Sequence, residues 1–538
     1  MSFGAHQAPS SPSGVLGQLP SVKYQMSDSY KTKASSLDGP QDPPPSTPPR
    51  TSSTPSFMSP STPGLAQDPS LSGPLHLFYD ASLSTSHVPQ KQEHSFDTDF
   101  EVPGRVSAIM RQLRAMPDYE TLFREFAESN IVAEGGRLQD ARSLSMTHSG
   151  NYLAELATIP TLSNTQLREL ELKYLQDVFL SPSTYGAAIT CVSGVVEAVR
   201  RACAPASSPV ALAISRPPGH HACCNAASGF CFLNNVAVAA RQALHLGWAG
   251  RVVILDWDIH HGNGTQDLTY RDGNILYVSM HRGGVGGNFY PKTGAPSETG
   301  GAGAADGTNI NVAWTHPGMT DVDYACAWTE IVLPAIHAFD ADLVLVSSGL
   351  DAAKGDPIGD CSLSPNFYHL MTRSLLTLID LERTKLAVVL EGGYNLDVIP
   401  ACMEAIACAL AGVPLPARLA NPGKDALRIP LTSDRLVRAR VVMADLWNWF
   451  DKDTRRRGNT QLGKGVVATV NRTIRALQLC DRYKDKDGSG GAFRPVVEQA
   501  DDGLVIKTRK QRGAGGKGGG KDDDVVDMLG KLDLGNRK

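Results

Sequence analysis

The chain has 538 residues, of which 41% are hydrophobic, and 51 basic against 55 acidic side chains give a net charge of −4. That length suits two to four average domains or one large catalytic domain with tails, and the near-neutral balance argues against a protein that coats nucleic acid, so no direct sequence-specific nucleic-acid binding is expected. No run of about 18 apolar residues occurs and no basic stretch after Met1 leads into an apolar core, so neither a membrane span nor a secretory signal is expected.

In chain order, residues 1–74 are dense in Pro and Ser, as in Pro43-Pro44-Pro45. Such a segment buries too little surface to offset its conformational entropy and reads as a disordered tail. Its Ser11-Pro12, Thr54-Pro55, Ser59-Pro60 and Thr62-Pro63 dipeptides suit proline-directed kinases, although they also arise by chance in such a tail. From 75 to 415 the rhythm is apolar strand, loop, helix. Strands are predicted at Leu75–Tyr79, Ala211–Ser215, Val252–Asp256, Ile275–Ser279, Leu343–Ser347 and Leu386–Leu390, most of them short continuous apolar runs typical of a buried parallel sheet. Helices are predicted at Asn234–Leu246, Val322–Phe339, Pro365–Ile379 and Val398–Leu410, so the region reads as α/β in layers. A helical extension follows over 416–485, with helices around Leu436–Phe450 and Val466–Leu479 and a basic triple at Arg455-Arg456-Arg457. Residues 486–538 are low in complexity and read as a disordered tail, in which Lys507, Arg509, Lys510 and Arg512 form either a nuclear import signal or a solvated basic cluster. Ten cysteines without a CxxC pair fit neither a disulfide framework nor a zinc finger, which sets the protein in the nucleus, the cytoplasm or both.

Polar groups gather where the strands end. Strand 252–256 runs into Asp256-Trp257-Asp258-Ile259-His260-His261-Gly262-Asn263-Gly264, strand 343–347 into Gly349-Leu350-Asp351, strand 386–390 into Glu391-Gly392-Gly393-Tyr394, and strand 211–215 into Arg216-Pro217-Pro218-Gly219-His220-His221. Sites in open α/β sheets form at such carboxyl ends. Asp258 and His260 alternate along an extended segment and share a side; with Asp351 they make three ligands with a fourth position open, as a catalytic metal needs. Carboxylate-rich ligation suits zinc, manganese or iron, and the pattern does not choose among them. His220 and His221 divide proton traffic beside such a metal, or else occupy an ordinary turn; Asp256 and Asn263 are available to orient one each. Tyr394, after two glycines, is a donor to a developing oxyanion or an amphipathic surface tyrosine. Phe230 and Tyr290 wall a narrow channel or pack in the core.

These motifs, RPPGHHA at 216–222, GFCFLNN at 229–235, DWDIHHGNGTQ at 256–266, SMHRGG at 279–284, NFYPKTGAP at 288–296, SSGLDAAKGDP at 347–357 and LEGGYNL at 390–396, resemble those of the class II zinc-dependent histone deacetylases over about 75–415. The resemblance implies an arginase-like three-layer fold with a central, mostly parallel eight-stranded sheet. It implies one zinc on Asp258, His260 and Asp351. His220 and His221 are then the paired imidazoles, with His221 the stronger candidate for general base and acid, Asp256 orienting His220 and Asn263 beside His221. It makes Tyr394 the donor to the substrate carbonyl, and Gly229, Phe230 and Tyr290 the lining of the acyl-lysine channel. It implies structural potassium on carbonyls of Asp256, Asp258, His260 and Met280 with Ser279, and a second potassium near Thr269, Asp272 and Ile275. Asp177 falls where the family binds the substrate backbone. Ile358 stands where polyamine deacetylases carry a glutamate, so acetyl-lysine in protein, on histone tails or tubulin, is the expected substrate and co-repressor proteins are the expected partners. Two departures touch substrate contact: the stretch that commonly reads HPE is Asp99-Phe100-Glu101, and Tyr290 replaces the usual Phe. Two rival readings are a catalytically silent acetyl-lysine reader or co-repressor scaffold, which needs no proton-transfer groups, and a two-manganese ureohydrolase, which needs further bridging carboxylates.

Overall fold

The computed structural model describes residues 73–88, 100–133, 144–174, 177–283, 287–420, 435–442, 469–477, 497–500 and 503–506. The chain divides into units 1–64 and 65–538, and all described residues belong to the second. The tail dipeptides, Arg455–Arg457 and the basic cluster at 507–512 lie outside the described residues.

Eight strands form the central sheet: β1 (Leu75–Phe78), β2 (Phe123–Phe126), β3 (Val210–Ala213), β4 (Val252–Asp256), β5 (Ile275–Arg282), β6 (Asn309–Trp314), β7 (Leu343–Ser348) and β8 (Lys385–Leu390). Their spatial order is β2-β1-β3-β8-β7-β4-β5-β6. Every pairing is parallel, so the sheet is wholly rather than mostly parallel. Strands β1, β3, β4 and β7 are buried along their full length, which is why they read as unbroken apolar runs.

The two edge strands escape that pattern. In β2, Arg124 and Glu125 are exposed between buried phenylalanines. In β6, Asn309 and Asn311 interrupt the apolar run, yet the whole strand is buried. Part of its cover is the helical segment 469–477, where the Thr469 and Thr473 hydroxyls donate to the carbonyls of Ala313 and Asn311. Covering an edge in this way removes a template for strand addition.

The outer layers are helical. Helix α1 (Gly104–Arg114) opens one layer, and α2 (Thr184–Cys203) packs on β1, β3 and β8 in the other, beside α3 (Asn235–His245). Gly194 of α2 lies so close to the Phe78 ring that a Cβ there would overlap it, which explains a glycine inside a helix. Helix α4 (Asn263–Thr269) continues the loop after β4, while α5 (Pro365–Leu378) and α6 (Ile399–Leu410) pack together, with α1 against α6. Ser364 caps α5 by accepting from the Phe367 N–H, with Pro365 in the first turn, and Asn234 caps α3 by accepting from Ala237 N–H. The stretch predicted as one helix over 322–339 is interrupted by a π-helical turn at Trp328–Val332. Between the disordered tail expected from 486 and the chain end, Val497–Ala500 pairs antiparallel with Gly503–Ile506.

Candidate active site

Strands β3, β8, β7 and β4 are consecutive across the middle of the sheet, so the four polar strand ends named from the sequence meet in one place. Asp258, His260 and Asp351 each offer a ligand atom, all within 4.8 Å of one another and all buried. His260 Nδ1 lies 3.0 Å from Asp351 Oδ2 and 3.2 Å from Asp258 Oδ1. Backbone groups hold the carboxylates: Gly392 N–H donates to Asp258 Oδ2 at 2.9 Å, and Ile259 N–H donates to Asp351 Oδ1 at 2.9 Å. Two acids and an imidazole in so dry a place attract positive charge. Burial opposes ionisation of Asp258, but His220 and His260 hold its carboxyl well below the usual range. Burial and Asp258 push Asp351 up to about 7. Burial lowers His260, yet Asp258 and Asp351 outweigh it and raise the imidazole to about 9. The donor set is of the kind that holds a divalent cation.

The paired imidazoles stand beside this group with ring centroids 4.0 Å apart. Their partners differ in charge. His220 Nδ1 meets Asp256 Oδ2 at 3.1 Å, whereas His221 Nδ1 meets the neutral Asn263 Oδ1 at 2.8 Å. For His220, burial is outweighed by Asp258 and Asp256, which raise its pKa to about 10. For His221, burial and the neighbouring His220 push the pKa well below the usual value. The two imidazoles are therefore biased in opposite directions, His220 toward its charged form and His221 toward its neutral one.

Tyr394 is reached through Gly393, whose φ of +109° is a conformation that side chains disfavour. The Tyr394 ring has the Arg105 guanidinium 5.0 Å from its centroid and packs edgewise with Phe230 at 5.9 Å and Phe100 at 6.2 Å. Burial keeps its phenol protonated, hence a donor. Gly229 approaches His221 so closely that a Cβ would lie 2.5 Å from Cδ2, and Tyr290 packs on His221 at 5.2 Å. The extra hydroxyl of Tyr290 is bonded to Ser228 Oγ at 2.7 Å. The Phe230 N–H donates to the backbone carbonyl of Asp177, and Ile358 is half-buried after Asp356, whose Oδ1 accepts its N–H. Around the first potassium position, Asp256 and Ser279 are register partners on β4 and β5, Met280 is buried and Ser279 Oγ is bonded to His281 Nδ1. At the second position, Asp272 N–H donates to the carbonyl of Thr269 and Ile275 N–H to that of Asp272.

Several supporting residues were not singled out from sequence. Buried Glu391 accepts from Gly219 N–H at 2.7 Å, His220 N–H at 3.2 Å and Ser347 Oγ at 3.0 Å. Tyr277 donates to Asp256 Oδ2, and Phe289 stacks on His260 at 5.0 Å. Arg105 donates to the carbonyls of Gly393 and Glu391, and buried Arg216 donates to those of Ser86, His87 and Glu101. The only signal was an odd one: charged residues in otherwise apolar or Gly-rich runs.

Fold and strand-end chemistry together define an α/β protein with a buried site fit for a metal ion at the carboxyl ends of its central strands. The chain belongs to the histone deacetylase domain family, whose model matches residues 99–410. It is similar to histone deacetylase 6 of Caenorhabditis elegans, 37% identical over 313 residues that cover 58% of this chain and 31% of that protein. It is also similar to histone deacetylase HDA1 of Saccharomyces cerevisiae, 38% identical over 334 residues, 61% of this chain and 45% of that one. The crystal structure of the HDA15 HD domain superposes with a TM-score of 0.55 at 30% identity, covering 72% of this chain and 99% of that domain. The chain spans between about a third and a half of the length of these curated relatives.

Proposed function

We propose that this chain is a zinc-dependent protein lysine deacetylase that hydrolyses acetyl-lysine side chains to lysine and acetate. The observation that carries the reading is the unequal imidazole pair, one on a carboxylate and one on an amide, beside the Asp258–His260–Asp351 group. When bound there, zinc supplies Lewis acidity toward the acetyl carbonyl and lowers the pKa of the attacking water.

The chain's own groups do the rest. His221 gives its Nδ1 proton to the bond with Asn263, so its Nε2 is free to take a proton from water as the carbon–oxygen bond forms. The same Nε2 then passes that proton to the lysine nitrogen as the carbon–nitrogen bond breaks. His220, paired with Asp256, keeps its charge and stabilises the negative charge that develops on the carbonyl oxygen. Tyr394 donates its hydroxyl to that oxygen. Gly229, Phe230 and Tyr290 wall the lysine stem and exclude water, and Asp177 accepts the substrate's backbone amides. Ile358 offers a polyamine no counter-charge. The carbonyls of Asp256, Asp258, His260 and Met280 with Ser279 would hold a potassium ion, whose charge would brace the strand end. Histone tails or tubulin are the substrates, co-repressors the partners, and chromatin repression in the nucleus, or deacetylation in the cytoplasm, the setting. The catalytic domain spans 75–415.

The test is acetate release from an acetyl-lysine peptide, with and without a zinc-chelating hydroxamate, beside Tyr394→Phe. Release blocked by the hydroxamate and reduced about 10²- to 10³-fold in turnover in the variant is expected, the usual loss for one oxyanion donor. No release from zinc-loaded protein, or wild-type turnover in Tyr394→Phe, overturns the reading.

A further inference from the structure

Asn263 has two ends, and the proton traffic just described needs the right one to face His221. With Oδ1 toward the ring, Nδ1 carries the hydrogen and Nε2 is the base; with the amide reversed, its NH₂ donates to Nδ1 and drives the proton onto Nε2, where no base is left. An amide pivots between these states unless its far end is held.

The far end meets sulfur. Asn263 Nδ2 lies 3.5 Å from Cys223 Sγ, and Cys223 Sγ lies 3.8 Å from Asp267 Oδ2. Asn263 and Asp267 are one turn apart on α4, on the same side of the helix, with the thiol between them. The backbone of Cys223 is fixed from both directions. Its N–H donates to the Ala226 carbonyl, and its own carbonyl accepts from His148 Nδ1 at 2.9 Å. His148 Nε2 in turn accepts from Asn234 N–H at 3.0 Å, which leaves Nδ1 as the protonated nitrogen.

We infer that Cys223 is a positioning residue for catalysis: its thiol, donating to Asp267 and accepting from Asn263, orients the Asn263 amide and so sets the tautomer of His221. The direction of the chain follows from its ends. Asp267 Oδ2 and the His221 carbonyl, 3.6 Å from the sulfur, can only accept, so the thiol donates, with the carboxylate the stronger acceptor of the two; the sulfur is then left as an acceptor, and only the NH₂ end of Asn263 satisfies it. Burial, with Asp267 beside it, pushes the thiol up to about 12, so the hydrogen is present at neutral pH. Bonds to sulfur are weak, but the choice they bias is between two orientations of one group, and a modest preference there decides which nitrogen of His221 is basic.

The inference rests on the deacetylase reading, and the experiment separates the two. Turnover of an acetyl-lysine peptide is measured for Cys223→Ala and Cys223→Ser, each in the wild-type and the Asn263→Asp background. Cys223→Ala is expected to lower kcat about fivefold, the worth of one hydrogen bond, with KM unchanged, and Cys223→Ser to recover most of the loss. A carboxylate at 263 has two equivalent oxygens and no orientation to set, so Cys223→Ala on Asn263→Asp is expected to change kcat less than about twofold. An equal loss in both backgrounds makes Cys223 a packing residue and overturns the inference, as does no loss in either. The ¹⁵N shifts of His221, identified by its loss in His221→Ala, read the tautomer whether or not the protein turns over. A protonated Nδ1 in wild type and a mixture in Cys223→Ala are expected; identical shifts in both sink the inference. Absence of acetate release from wild type removes the deacetylase reading instead.

Discussion

Replacing Gly392 by alanine puts the proposed metal ligands under direct load. A Cβ at this position lies 2.4 Å from Asp351 Oδ2 and 2.6 Å from Asp258 Oδ2, against the 3.4 Å at which ordinary van der Waals contact begins. One or both oxygens must therefore retreat by about 1 Å, roughly half a metal–oxygen bond length. The carboxylates have little room to do so. Both are fully buried, Asp258 accepts from the Gly392 and His260 N–H groups, and Asp351 accepts from Ile259 N–H. The displaced oxygens leave a ligand set that is otherwise intact, so the fold survives while the site weakens. Zinc affinity, measured by competition with a chromophoric chelator, is expected to fall by about 10- to 100-fold, as when a ligand's supporting contacts are lost. Turnover at saturating zinc is expected to fall about 10²-fold, the cost of an ångström's misplacement at a reacting centre. Wild-type zinc affinity in a folded Gly392→Ala protein would refute the placement of these two aspartates as ligands.

Two further outcomes concern stability. Arg216→Met leaves Glu101 short of a buried partner and three backbone carbonyls without their donor, so chemical denaturation is expected to show a loss of about 3–5 kcal/mol; a loss below about 1 kcal/mol contradicts the clamp. His369 is half-buried on α5 with Nδ1 bonded to the Ala405 carbonyl, and its partial removal from water lowers its pKa from 6.5 to about 4. The unfolded chain therefore binds this proton first, and the stabilisation is complete above pH 6.5 and lost as pH falls toward 4. Relative to His369→Gln, wild type is expected to lose about 2 kcal/mol between pH 8 and pH 5 in urea titrations, and parallel pH curves for the two proteins exclude that burial effect.

Much of this site was legible because its chemistry obeys short-range rules. Asp258 and His260 are two residues apart on an extended segment, His220 and His221 are adjacent, and each group ends an apolar run. The six strands read correctly are those whose burial writes itself as consecutive Val, Ile and Leu. What escaped depends on partners far away in the chain. Arg105 carried no predicted element or role, and its part appears only when Gly393, 288 residues later, folds beneath it. Glu391 looked like part of a glycine turn, although it accepts from Gly219, 172 residues earlier. Strand β6 was hidden by Asn309 and Asn311, whose side-chain NH₂ groups donate to the Gln266 Oε1 atom inside the fold. Cys223 was given no role from the sequence, since nothing nearby in the chain says that α4 brings Asn263 and Asp267 to its two sides.

The order of strands across the sheet also bears on when the site comes into being during synthesis. Strands β3 and β4 emerge from the ribosome early, but between them in space lie β8 and β7, which are made last. Until residue 392 has left the exit tunnel, the Asp258 carboxylate lacks an N–H donor 134 residues downstream, and until residue 351 has followed β7, two of the three ligands stand without the third. A nascent chain thus carries an incomplete ligand set for much of its elongation. On the proposed ligand set, metal capture would report completion of the sheet's centre, and an arrested or truncated chain ending before β8 would bind zinc poorly however well its first half has collapsed.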